Sequence, residues 1–331
     1  MKEDTTLKNI SRKTFTEFFG RFVSLKLSKS NYDTKTFVHN NKSNVRISFD
    51  IQKYPSETET GCGTATIVIY NLDDETMKWI NNIDNNKTKL NVELRAGNGS
   101  EKNMMLIYKG VVNTQYVSFD NNDLKQYLCC YSYQNTEAET KTYTNVPVSM
   151  VAADTLANNG FVQASATMMA NSKLLNNSIV RKVAVKGVSG VAKLVEEVTG
   201  VKTVLDDAKL KLLNIKENLS TQPLSKFKIV SRETGLINSP TVVDVGLELV
   251  TMLRPDIGMF DKIYVDVPFA DYNISVAQFN DTLKKIDARY NYMNYRGFHN
   301  RGFAYYVSHQ GDTHQDLWRT TIKTITQEGI K

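Results

Sequence analysis

The chain has little cysteine. Cys62, Cys129 and Cys130 are the three it carries in 331 residues. An odd count with two of them adjacent makes no disulfide framework, and the paired C-x-x-C spacing of a zinc site is missing, so a reducing compartment is expected. No uninterrupted apolar run of about 18 residues occurs, which excludes a membrane-spanning helix. The N-terminus, MKEDTTLKNISRKTF, has early acids and no apolar stretch, so no secretory signal is expected. An excess of one charge sign is also lacking: 41 basic residues against 35 acidic give +6. The basic residues are scattered through every segment, whereas a nucleic-acid binder gathers them on one face, so the charge reads as a solubility feature with a weak pull toward acidic partners. A hydrophobic content of 41% with 23% charged residues is ordinary for a globular protein and sets aside wholesale disorder. The length allows two or three domains, each with its own core.

What is present in quantity is period-two alternation. Glu233–Val267 is its clearest case: Gly235 and Asn238-Ser239-Pro240 turn the chain, Val245, Leu247 and Leu249 share a face, Arg254-Pro255-Asp256 with Gly258 turns again, and Ile263, Val265 and Val267 resume the pattern. Earlier, Val23, Leu25 and Leu27 alternate, as do Val45, Ile47, Phe49 and Ile51. After a turn at Gly61–Gly63 the run TATIVIYNL lies deep in a sheet. Asp73 caps a short helix carrying Met77, Trp79 and Ile80, with Asp74 and Glu75 favourable to its dipole. Strands follow at Leu90–Leu94, Leu106–Val112, Tyr116–Phe119 and Leu124–Tyr131, with turns at Gly97-Asn98-Gly99 and at Asp120–Asp123. Residues 1–135 therefore read as a closed or nearly closed β-domain.

The character changes over 136–224. Pro147 opens a helix with Val148, Val151, Ala152 and Leu156 on one face, ended by Gly160. Ser189 caps a second, with Val191, Leu194, Val195 and Val198 at helical spacing and Gly200 closing it. VKTVLDDAKLKLLNI reads as a hairpin turning at Asp206-Asp207. The region is a small α+β domain with an unreadable polar segment at 160–180. From 225 to 331 strands resume, interrupted at 275–301 by a helical insertion in which Val276, Phe279, Leu283 and Ile286 mark a helix. A terminal hairpin turns at Gln310-Gly311-Asp312.

Chemistry-bearing patterns are sparse. His309, Asp312 and His314 bring three donors within a few residues, yet they straddle a hairpin turn with no fourth ligand, and a solvated turn is the better reading. Cys129 and Cys130 point to opposite faces of a strand, one core and one surface, with no base to activate either. The acid pairs Asp73-Asp74, Glu196-Glu197 and Asp206-Asp207 sit in a helix start, a helix interior and a hairpin turn, with nothing to bring two into one cleft. Gly61-x-Gly63 precedes a strand, and Lys186–Gly190 lacks the spacing of a phosphate-binding loop. No catalytic residue, metal or cofactor is expected, and the chain reads as a non-enzyme.

Five stretches in order, ATIVIYNLDDETM, LIYKGVV, GVSGVAKLVEEVTG with VLDDAKLKLLN, TGLINSPTVVDVGLELVTMLRPDIGMFDKIYV, and YYVSHQGDTHQDLWRTTI, resemble the central baseplate hub proteins of contractile-tailed phages, the late-control-protein-D family. The resemblance implies a β-rich α+β fold in which two tudor-like β-barrel domains, 1–135 and 225–331, flank the small α+β domain 136–224. It implies a homotrimeric ring that adapts the hexameric tail tube to the three-fold central spike, with the tube protein, a separate spike protein and other baseplate proteins as partners. It implies a virion location in the tail baseplate, assembly in the host cytoplasm, no specific nucleic acid and no membrane insertion. The departures are the 275–301 insertion and the lack of an appended needle, lysozyme or peptidase domain, which places any lytic activity elsewhere. A β-rich carbohydrate- or receptor-binding tail module is the alternative. Tyr290, Tyr292, Tyr295, Arg296, Phe298 and Arg301 form the candidate protein-contact surface, since aromatics and Arg are what interfaces favour.

Overall fold

Alternating β-branched and aromatic residues form strands wherever one face can be buried. The computed structural model describes residues 20–29, 33–55, 63–82, 89–120, 122–132, 140–158, 173–207, 209–213, 218–243, 246–268, 273–274 and 300–325. The first part comprises β1 (Arg21–Ser28), β2 (Thr34–His39), β3 (Ile47–Lys53), β4 (Thr64–Tyr70), α1 (Asp74–Asn81), β5 (Asn91–Asn98), β6 (Met105–Asp120) and β7 (Asp123–Ser132). The middle holds β8 (Thr140–Pro147), α2 (Val148–Asn158), α3 (Lys173–Asn176), β9 (Ile179–Lys186), α4 (Gly187–Thr199), β10 (Lys202–Asp206) and β11 (Lys209–Leu213). The last part adds β12 (Lys228–Val230), β13 (Thr241–Val243), β14 (Gly246–Met252), β15 (Lys262–Val265), β16 (Asn273–Ile274), β17 (Arg301–Asp312) and β18 (Trp318–Ile325).

Fourteen strands join one sheet, along the path β16-β13-β14-β18-β17-β3-β4-β7-β6-β5-β1-β2, with β15 attached to β17 and β12 to β15. The joint is β17. Its start pairs with β15, Tyr264 opposite Arg301, and its end pairs with β3, from Val307 opposite Lys53 to Asp312 opposite Ser48. Two separately closed barrels were the expectation. Among the described residues neither half closes on itself, because the outer edge of β3 is satisfied by β17 and the ladder runs on from one half to the other.

Burial nevertheless divides into separate cores. Val23, Leu25, Ile47, Ile67, Leu94 and Leu128 pack with Ile80 of α1 in the first, which also takes Leu253 and Trp318 from the far end of the chain. Leu247, Leu249, Ile263, Phe303, Val307 and Ile322 form the second. Val148, Val151, Ala152 and Leu156 of α2 meet Val191, Leu194 and Val195 of α4 in the third, as their helical spacing predicts. A ribbon of β8 and β9 covers that pair, and β10 with β11 makes a second ribbon.

Several local expectations hold. Asp73 accepts from the Thr76 backbone N–H at 2.7 Å and caps α1. Gly200 ends α4 at φ 67°, a left-handed conformation that glycine adopts without a Cβ penalty. Others are corrected. Ser189 is not a cap: α4 already begins at Gly187, and Lys186 occupies the capping position without a side-chain bond. Asn98 is not in a turn but ends β5, and Gln310-Gly311-Asp312 is strand, with the turn at 313–316. β6 is one strand with an irregularity between Val112 and Thr114 rather than two. β2, β8 and β9 lack a run of alternating large apolar residues and carry no clear signal in the sequence. The helix expected within 275–301 and the Gly160 stop lie outside the described residues.

Candidate contact surfaces

β6 outruns its neighbour. β5 accompanies it only as far as Val111, opposite Asn91, whereas β7 continues along it from Gly110 to Asp120. Beyond the irregularity, the outer edge of β6 therefore has no partner strand among the described residues. The overhang is held straight from within: the Tyr116 and Tyr127 rings stack at 4.7 Å and 6°, Lys125 meets Asp120 at 2.7 Å, and Asn122 takes φ 66° in the turn, which suits a tight hairpin. Its apolar side chains face water, Phe119 being 71% exposed, Tyr116 47% and Val117 43%. A long strand edge with unpaired backbone groups and exposed apolar residues on both faces is a template for another chain.

Of the sequence-derived contact residues, Tyr290, Tyr292, Tyr295, Arg296 and Phe298 lie outside the described residues. Arg301 serves the fold. Its Nη1 donates to the carbonyls of Leu219 at 2.7 Å, Ser220 at 2.8 Å and Gln222 at 3.2 Å, and its guanidinium lies over Phe227 at 5.2 Å and Tyr264 at 5.7 Å. It ties the segment leaving the middle region to the start of β17.

His309, Asp312 and His314 do not converge, and the solvated-turn reading fails for the first two. His309 is buried, its Nδ1 at 3.0 Å from Thr320 Oγ1, and burial with the Lys53 charge pushes its imidazole down to about 3. Asp312, also buried, pairs with Arg46 at 3.1 Å and accepts from the His314 and Gln315 backbone N–H groups. His314 is exposed, edge-on to His39 at 5.4 Å. No group of three His, Cys, Asp or Glu side chains able to hold a metal occurs among the described residues.

Cys130 is buried and Cys129 half-buried, as opposite faces of β7 require, and burial raises the Cys130 thiol. Glu196 accepts from the backbone N–H and hydroxyl of Thr203 at 2.8 and 3.1 Å. Asp206 ends β10 and Asp207 lies in the hairpin turn, as read from the sequence, but both contact Lys53, in the interior. The parity of Phe49, Ile51 and Lys53 places that lysine on the core face of β3, a signal present in the sequence. The overhang of β6 has no such signal, because it depends on where a different strand stops.

A family model described as baseplate hub gp41 matches residues 31–271. No curated protein matches the chain. Among solved structures it is similar to the tail protein from Neisseria meningitidis MC58, 11% identical with a TM-score of 0.49, covering 93% of this chain and 97% of that one. It is also similar to the 43 kDa tail protein of prophage MuSo2 from Shewanella oneidensis, 9% identical at TM-score 0.48, covering 93% and 99%. The half-lidded Francisella PdpA-VgrG complex is 6% identical at TM-score 0.46, covering 98% of this chain and 62% of that one. On the family match, which takes in well over half its length, the chain belongs to the baseplate hub gp41 family, proteins of the phage tail baseplate.

Proposed function

We propose that three copies of this chain close into a ring that adapts a hexameric tail tube to a three-fold central spike. The observation that carries the proposal is the β6 overhang, an apolar strand edge with no partner among the described residues. A closed ring needs head-to-tail contacts between two different patches on each copy, and such an edge supplies one of them. The separate cores at the two ends of the shared sheet support two barrel-like modules, 1–135 and 225–331, on either side of a middle domain, 136–224. Three chains then offer six similar modules to the tube and three-fold symmetry to the spike.

In this reading the protein is structural rather than catalytic. Its partners are the tube protein, a separate spike protein and other baseplate proteins, and it assembles in the host cytoplasm and ends in the virion of a contractile-tailed phage. The stretch from Tyr290 to Phe298 adds a further contact surface. No helix among the described residues is long and apolar enough to cross a membrane. Electron microscopy of the purified protein tests the reading: three-fold rings with a central channel support it, and isolated globules at every concentration refute it.

A further inference from the structure

The β10–β11 hairpin joins two of the cores and reaches the strands around the first. Val204 and Leu213 enter the second core, Leu212 packs on the third, and Thr203 is held by Glu196 of α4. Its turn reaches the first part of the chain. Lys53 Nζ on β3 lies 2.8 Å from Asp206 Oδ1 and 2.5 Å from Asp207 Oδ2, while the Lys109 N–H of β6 donates to Asp207 Oδ1 at 3.2 Å. On the opposite side Asp206 Oδ2 meets Lys211 Nζ at 2.8 Å and accepts from Met259 N–H at 3.1 Å. Lys211 in turn donates to the Met259 carbonyl at 3.0 Å and lies 3.5 Å from Asp261. Gly258 lets this happen, since a Cβ there would stand 2.6 Å from Asp206 Oδ2 and 2.7 Å from Lys211 Nζ.

We propose that this turn is a registering wedge: the Lys53–Asp206–Lys211 cluster fixes one orientation of the middle region on the hub sheet and contributes little net stability. Both Lys53 and Asp206 are nearly sealed from water, with side chains 4% and 3% exposed. Burial opposes charge on each, and each is nevertheless held charged by the other. Desolvation of a buried ion pair takes back most of its Coulomb gain, and apolar replacement of the whole set is often neutral. What the apolar set lacks is direction. Carboxylate oxygens that must meet two ammonium groups and two backbone N–H groups, contributed by β3, β6, β11 and the 258–261 loop, accept one docking geometry, whereas apolar side chains accept several.

The test uses the full chain with Cys62→Ser and Cys129→Ser, spin-labelled at Lys26→Cys on β1 and Lys193→Cys on α4, both exposed positions. Diluted with unlabelled protein so that distances within one chain dominate, double electron–electron resonance should give one narrow distance distribution. Adding Lys53→Met and Asp206→Met together with Asp207→Asn, so that no carboxylate is left without the lost ammonium, should leave the melting temperature within about 4 °C and make the distribution more than twice as broad. Lys211→Met, which keeps the Lys53 pair and the Met259 N–H bond to Asp206 and removes the ammonium that joins Asp206 to the Met259 carbonyl and Asp261, should broaden it less. A narrow distribution in both variants overturns the proposal. So does failure of the triple variant to fold, because the cluster would then be a source of stability.

Discussion

The indole N–H of Trp318 donates to Asn98 Oδ1 at 2.5 Å, across 220 residues of sequence, and Asn98 Nδ2 donates on to the Leu253 carbonyl at 2.8 Å. Both bonds are buried and both join β5 to the last part of the chain. Asn98→Ala strands a buried indole donor and a buried carbonyl together. The variant should lose about 2 to 4 kcal/mol in urea unfolding, one desolvation penalty for each orphaned group. A loss below about 0.5 kcal/mol would show that the bonds do not hold the two parts together.

Lys53→Met alone should be far worse than its combination with Asp206→Met and Asp207→Asn. The single change leaves the buried Asp206 with Lys211 as its one ammonium partner, shared with the half-buried Asp261, and takes the ammonium from Asp207 beside it. Removing one partner of a buried pair costs about 3 to 5 kcal/mol. Equal stability of the single and triple variants would contradict this.

His309 gives the protein an acid sensitivity of definite sign. Its folded value is depressed, by burial first and then by Lys53, from 6.5 to about 3, so the unfolded chain binds the extra proton. Its contribution is full above about pH 6.5 and falls by at most about 1.4 kcal/mol per unit as the pH drops toward 3. Asp207 runs the other way. Burial, aided by the charge of Asp206, pushes it up to about 6 against the pull of Lys53, so its contribution grows as the pH falls from about 6 to below 3.8. Comparison of wild type with His309→Asn isolates the histidine: the difference in stability should shrink steadily between pH 6.5 and 4, and a constant difference would refute the assignment.

Val117→Lys with Phe119→Lys should abolish self-association while leaving the melting temperature within about 2 °C, since both side chains face water in the single chain and surface changes of this kind move stability by at most about 0.5 kcal/mol. Sedimentation at rising concentration reads the outcome. An unchanged assembly would move the interface elsewhere.

Elements whose own residues carry a period were legible in the sequence: β1, β3, β4, β14, the buried faces of α2 and α4, and the Asp73 cap. β2 was not, because an edge strand buries little, nor were β8 and β9, whose solvent-facing Thr140, Thr142, Lys182 and Lys186 mask the pattern. The continuity of the sheet was illegible because the β17–β3 pairing is decided by two edges far apart in sequence. The roles of Asp206 and Asp312 were misread for a related reason. A charged residue in or near a turn looks solvated until the chain that covers it is known.

Native mass spectrometry of the purified protein across a wide concentration range tests the central claim most directly. The ring predicts a species at three times the 37.5 kDa chain mass, reduced to the single chain by the two β6 lysines. A single chain at every concentration, or a stable complex whose copy number is not a multiple of three, would contradict it.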